Sequence, residues 1–101
     1  MSKQLYLTAQ FELDKADDFA ATFAEHAKAS RAKEGCLFFY LIRDRDNPAH
    51  FATMECWDTY AHFEQHVADD EHSAFQKKLK PHLKGEPQVM EADLVMGMEG
   101  Q

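Results

Sequence analysis

Cys36-Leu37-Phe38-Phe39-Tyr40-Leu41-Ile42 is a run without a single charge, and its reading decides how the rest of the chain has to be arranged. A strand sends successive side chains to opposite faces, so a strand over these residues is apolar on both. Both faces then need cover. Helices of the same chain can supply one layer. In 101 residues the natural cover for the other face is a second copy of the same sheet, which predicts a homodimer.

Working outward, Arg43-Asp44-Arg45-Asp46-Asn47-Pro48 is turn chemistry, and Phe51 to Trp57 reads as the returning strand of a β-hairpin. On the amino-terminal side, Gly35 stops a helix expected over residues 15–33. Its Ala16, Phe19, Ala20, Phe23, Ala27 stripe recurs every three or four positions. Asp14 is its expected cap, with Asp17 and Asp18 at the positive end of the dipole and Lys28, Arg31 and Lys33 at the negative end. Before it, Gln4 to Leu13 alternates Leu5, Leu7, Ala9, Phe11 and Leu13 with more polar neighbours, the period of a strand.

Beyond the hairpin, Asp58 is the expected cap of a short helix carrying Tyr60, Phe63 and Val67. After the polar Ala68-Asp69-Asp70, a further helix carries Phe75 and Leu79 and closes at Pro81. Gln88 to Met96 reads as a last strand, and 97–101 as a mobile tail. The order β-α-β-β-α-α-β is the split βαβ pattern of ferredoxin-like α+β folds, here one domain over residues 1–101 whose paired sheets would form a dimeric α+β barrel. Such a fold hosts many unrelated activities, so function has to be sought in particular residues.

A formal net charge of −7 opposes binding to phosphate backbones or anionic lipid, so neither nucleic acid nor membrane is an expected partner. No apolar run reaches the ~20 residues that span a bilayer, and the start lacks the basic-then-apolar order of a signal peptide, which points to the cytoplasm. Cys36 and Cys56 form no C-x-x-C pair and are expected as thiols, near one another across the hairpin. G-x-G-x-x-G, Walker, G-x-S-x-G and C-x-x-C-H motifs are missing, so no cofactor is expected.

Histidine is the side chain best matched to moving a proton near neutral pH. His62 and His66 stand four apart on one helix, a weak metal-ligand spacing without a placed carboxylate, and no metal site is expected from it. His66 lies roughly 60° from Phe63 on a wheel of ~100° per residue and so borders the core, whereas His62 turns toward solvent. His72 falls in the Phe75 and Leu79 stripe and also faces inward; for either ring a core-edge hydrogen bond competes with a role in a pocket. Glu55 shares a strand face with Phe51, Thr53 and Trp57. A cross-strand ion pair with Arg43 or Arg45 competes with a catalytic role for it. The flat bodies of Trp57 and Tyr40 suit stacking on an aromatic ligand, and Phe63 and Phe75 are apolar candidates for the same pocket.

Ser30-Arg31-Ala32-Lys33-Glu34-Gly35-Cys36-Leu37 after a long helix, then Glu55-Cys56-Trp57, His66 and Glu71-His72-Ser73-Ala74-Phe75, resembles the antibiotic biosynthesis monooxygenase family, which includes small quinol monooxygenases. The resemblance runs from the first strand to the last and is carried by motif order. It implies a ferredoxin-like dimer whose sheets form a barrel, and oxidation of a phenolic or quinol-type aromatic by O2 without metal or flavin. Under it, His66 is the first candidate base, with His72 and Glu55 behind it, and Trp57 and Tyr40 hold the ring. A haem-degrading branch resembles the same fold but has a Trp about where His66 stands and an Asn about where Gln10 stands. Isomerase members and a non-catalytic ligand-binding dimer are the other readings.

Overall fold

The computed structural model describes residues 3–97; Met1, Ser2 and most of the expected tail, residues 98–101, lie outside the described residues. The strands are β1 (Leu5–Glu12), β2 (Cys36–Arg43), β3 (His50–Trp57) and β4 (Gln88–Ala92), and the helices α1 (Ala16–Arg31), α2 (Tyr60–Ala68) and α3 (Asp70–Leu79). A 3-10 turn, Lys80–His82, follows α3 at Pro81. The element order is the expected βαββααβ, and the four strands form one antiparallel sheet in the order β2-β3-β1-β4.

Register explains how the chain divides its apolar residues. Leu7 pairs with Glu55 and Glu55 with Phe39, while one residue along Thr8 pairs with Met54 and Met54 with Tyr40. Directly paired residues point to the same side of a sheet. The row Leu5, Leu7, Ala9, Phe39, Phe51, Thr53, Glu55 and Trp57 therefore faces the helices, and all of these are buried. The opposite face carries Tyr40, Ile42, Met54 and Met90, each between 42% and 57% exposed. The two-sided apolar character of β2 is thus real, and the helices cover only one side of it.

Two clusters hold the helix layer on the sheet. Phe19, Phe23, Phe51, Phe75, Leu13, Ala16 and Leu79 form one, and Leu5, Ala27, Phe39 and Trp57 the other. Phe23 is fully buried and meets Phe51 and Phe75 at ring-centroid distances of 5.6 and 5.2 Å. Each such phenyl contributes about 1.5–3 kcal/mol by leaving water.

Several helix ends differ from the sequence expectation. Asp14 does not cap α1: Lys15 takes that place in left-handed backbone (φ 52°) without a side-chain bond, and the Asp14 N–H donates to His82 O at 2.7 Å. Asp58 does not cap α2 either. Thr59 Oγ1 accepts from the His62 N–H at 3.2 Å, and Asp58 accepts instead from the His62 ring at 2.6 Å. Asp69 caps α3, accepting from the His72 N–H at 2.9 Å. Helix α1 stops at Arg31, two residues early, which releases Lys33 from the helix to reach across to α2 and α3. The last strand ends at Ala92, and Val95 and Met96 are exposed beyond it. Cys36 and Cys56 are free thiols, both pushed up by burial, Cys36 to about 11.

Gly35 makes the turn from α1 into β2 at φ 86°, and its carbonyl accepts from the Asp58 N–H at 2.8 Å. A Cβ there would stand 2.5 Å from His62 Cβ, an atom anchored to the backbone of α2. Gly35→Ala therefore combines an unfavourable backbone angle with a clash, and should lower unfolding free energy by about 1–3 kcal/mol. Urea denaturation measures it; an unchanged midpoint would contradict the packing described here.

Candidate active site

Between the helix layer and the sheet lies a cavity of about 210 Å³. Leu7, Ala9, Phe39, Thr53 and Glu55 form its sheet wall; Phe23 and His26 come from α1, Phe63, His66 and Val67 from α2, and His72, Phe75 and Gln76 from α3. Pro87 and Val89 close the side toward β4. The walls are mostly apolar, with polar groups confined to one carboxyl, one hydroxyl, one amide and three imidazoles, the usual make-up of a small-molecule pocket.

The three imidazoles arrive from three different helices and offer ring nitrogens within 4.8 Å of one another. His26 is packed face to face on Phe75 at 3.8 Å, and His66 on Trp57 at 4.7 Å. Beneath them runs a polar network. Glu71 Oε2 accepts from His26 Nδ1 at 2.7 Å, and Lys33 Nζ donates to Glu71 Oε1 at 2.6 Å, to Asp69 at 2.9 Å and to His66 Nδ1 at 2.9 Å. An ammonium has three hydrogens, and here each has its acceptor.

This network assigns the ring hydrogens. His66 Nδ1 accepts from Lys33, so the hydrogen of the neutral ring sits on Nε2 and His66 is a donor there. His26 gives its Nδ1 hydrogen to Glu71, so its Nε2 keeps a lone pair. The His72 ring makes no side-chain hydrogen bond among the described residues, and both its nitrogens are open to a ligand. Burial depresses all three rings. His66 falls to about 3 through desolvation, then Lys33 and the two neighbouring imidazoles. Burial also acts first on His26, where Glu71 opposes it, and on His72, where His26 and Lys33 add to it. Burial pushes Glu71 and Asp69 up, but their hydrogen bonds outweigh it and hold both carboxyls below their ordinary range.

Glu55 does not pair with Arg43 or Arg45. It is buried, accepting from Thr53 Oγ1 at 2.9 Å and Trp57 Nε1 at 3.0 Å, whereas Arg43 reaches Asp17 at 2.6 Å. The reason is distance along the sheet: Glu55 pairs with Phe39, whereas Arg43 pairs with Phe51 at the far end of β2, beside the start of α1. Burial raises the Glu55 carboxyl against these two bonds and the more distant Lys33 charge.

Of the residues singled out from the sequence, His66, His72, Glu55, Phe63 and Phe75 line the cavity. Trp57 and Tyr40 do not. Trp57 is fully buried behind the wall, holding His66 by its face and Glu55 by its indole N–H. Tyr40 is 55% exposed on the opposite face of the sheet, stacked on Phe38 at 5.2 Å. His62 stays outside, bonded to Asp58 and near Glu34. Sequence reading passed over His26, Lys33 and Glu71. His26 was detectable, being seven residues after Phe19 and three after Phe23 in the buried stripe. Lys33 and Glu71 sit at helix ends, where charge is ordinarily a dipole effect.

This fold and cavity define a small α+β protein with a mostly apolar cavity between sheet and helices. The chain belongs to the antibiotic biosynthesis monooxygenase family, whose model matches residues 6–78. Its fold is shared with an antibiotic biosynthesis monooxygenase of known structure at 23% identity, covering 91% of this chain and 99% of that one with a TM-score of 0.86. A Pseudomonas aeruginosa protein is similar at 23% identity, covering 95% and 98% with a TM-score of 0.86. A Mycobacterium tuberculosis protein is similar at 16% identity, covering 98% and 100% with a TM-score of 0.83. No curated protein matches the chain in sequence.

The buried Glu55 makes stability depend on pH. Its folded pKa lies above the unfolded one, so the folded chain binds the extra proton between the two values. The stability this contributes is complete below the ordinary glutamate range and is lost as pH rises through the folded value. Glu55→Gln keeps an acceptor for Trp57 without the charge, and should be at least as stable as the parent at pH 7, with the difference shrinking toward pH 5. Glu55→Leu strands the indole N–H and should cost about 1–3 kcal/mol. Urea denaturation at the two pH values tests both; a Glu55→Gln protein much weaker at pH 7 would count against a desolvated carboxylate.

Proposed function

We propose that the protein is a cofactor-independent monooxygenase that oxidises a small phenolic or quinol-type aromatic with O2. The observation that carries this reading is the apolar cavity in which one imidazole is fixed as a donor and another has both nitrogens open to a ligand. By comparison with a dry ~150 Å³ cavity that takes up benzene, this space suits a one- or two-ring substrate. Family membership supports the reaction class.

In this mechanism Phe63 and Phe75 confine the ring, His72 accepts the phenolic proton and His66 Nε2–H stabilises the resulting oxyanion. The expectation that His66 is the base gives way to His72, because Lys33 already occupies the His66 Nδ1 lone pair. The phenolate passes one electron to O2, the radical and superoxide combine at an unsubstituted ring carbon, and the resulting peroxide anion takes back the proton held by His72. Loss of water from that hydroperoxide leaves a quinone. One oxygen atom is retained and the other departs as water. Glu55, bonded to Thr53 and Trp57, orients the wall, and Trp57 acts through His66.

Members of this family are commonly small-molecule-binding dimers. The exposed Tyr40, Ile42, Met54 and Met90 on the open sheet face support the same assembly here, with two sheets packed face to face.

A one- or two-ring quinol should be consumed with O2 uptake above its autoxidation rate, in the presence of a strong chelator. His72→Ala should lower kcat by about 10²-fold or more, and His66→Ala should slow the reaction as an oxyanion donor does. Absence of turnover over a panel of phenols, quinols and anthrones would favour the ligand-binding reading. Light scattering should give twice the chain mass, and a Tyr40→Asp, Ile42→Asp double variant should be monomeric. A folded parent monomer would overturn the assembly.

A further inference from the structure

We propose that His26, His66 and His72 also form a binding site for a divalent transition-metal ion of zinc-like preference, open on one side to the cavity. Three imidazoles from α1, α2 and α3 bring one nitrogen each within 4.8 Å of the others. A tetrahedral ion holds imidazole nitrogens at about 2.0–2.1 Å, which sets them about 3.4 Å apart. The rings therefore have to draw in by no more than about 1.4 Å, within reach of small side-chain rotations. Three histidines with a vacant fourth direction is the ligand set of catalytic rather than structural zinc sites.

The surroundings favour a cation. Glu71 accepts the His26 Nδ1 hydrogen, the second partner that metal-ligating histidines ordinarily have, and leaves His26 Nε2 for the ion. Two carboxylates, Asp69 and Glu71, stand against one ammonium, leaving a net negative charge beside neutral rings. Burial lowers all three imidazoles, which weakens the competition of protons for the lone pairs.

One group opposes binding, and it makes the site testable. Lys33 donates to His66 Nδ1, so coordination through Nε2 moves the ring hydrogen to Nδ1 and forces Lys33 to turn to Asp69 and Glu71 alone. Lys33 is then a built-in competitor: its ammonium fills the electrostatic role that the ion would take. Metal binding here does not depend on the oxidation proposed above; an ion held by His72 would remove that ring as a proton acceptor.

The test is titration of the substrate-free protein with Co2+, read by visible ligand-field bands, and competition with a chromophoric chelator for Zn2+. One ion per chain is expected. His72→Ala and His26→Ala should weaken binding more than tenfold with circular dichroism unchanged, whereas His62→Ala should leave it as in the parent. Lys33→Met should tighten it several-fold. The assignment is overturned if no saturable band appears, if His72→Ala and His26→Ala bind like the parent, or if Lys33→Met binds no more tightly.

Discussion

Lys33 places one ammonium at the junction of three helices and divides it among Asp69, Glu71 and His66. Because α1 ends at Arg31, the residue stands just past the helix and bridges to the α2–α3 corner that Asp69 caps. Its side chain is only 16% exposed, so these contacts operate with little water between them. From this one group follow the tautomer of His66 and the anchoring of the Glu71 that orients His26, and its charge adds to the burial that disfavours a proton on each ring. The chemistry open to the cavity is set by a residue that does not line it.

The second constraint is the division of the sheet. On the helix face, side-chain volume is nearly filled by phenyl rings, and the space left over is the cavity. On the other face, the apolar residues Tyr40, Ile42, Met54 and Met90 stay exposed. One sheet thus keeps the cavity face and the exposed apolar face apart. Changes to Tyr40 or Ile42 reach the cavity only through backbone, while changes to Phe63 or Phe75 leave the open face untouched.

Glu55 and Trp57 show how a polar group can be built into such a wall without disrupting it. The carboxyl lies between Leu7 and Phe39 in the sheet, where an unpartnered charge would be costly, and two short hydrogen bonds from its own strand neighbours hold it. Trp57 in turn stacks under His66. The pair links the sheet to the imidazole cluster by packing and hydrogen bonding, with no ion pair to an arginine.

The sequence by itself determined the element order and the faces of the sheet, because periods of two and 3.6 are local consequences of backbone geometry. The double-sided strand Cys36–Ile42, the Phe19 and Phe23 stripe and the stop at Gly35 are legible without coordinates. His66, His72, Glu55, Phe63 and Phe75 could be sorted to the interior for the same reason. Helix caps were not legible: Asp14, Lys15, Asp58 and Thr59 all offer local alternatives, and contacts with His82 and His62 decide among them. Tyr40 and Trp57 could not be placed relative to a cavity, since a flat aromatic reads alike on the open face, behind a wall or within it. Only the tertiary structure brought His26, Lys33 and Glu71 to His66 and His72, residues up to 46 positions apart in the chain. Their meeting depends on how three helices cross one sheet, and that long-range geometry has no signature in any local period.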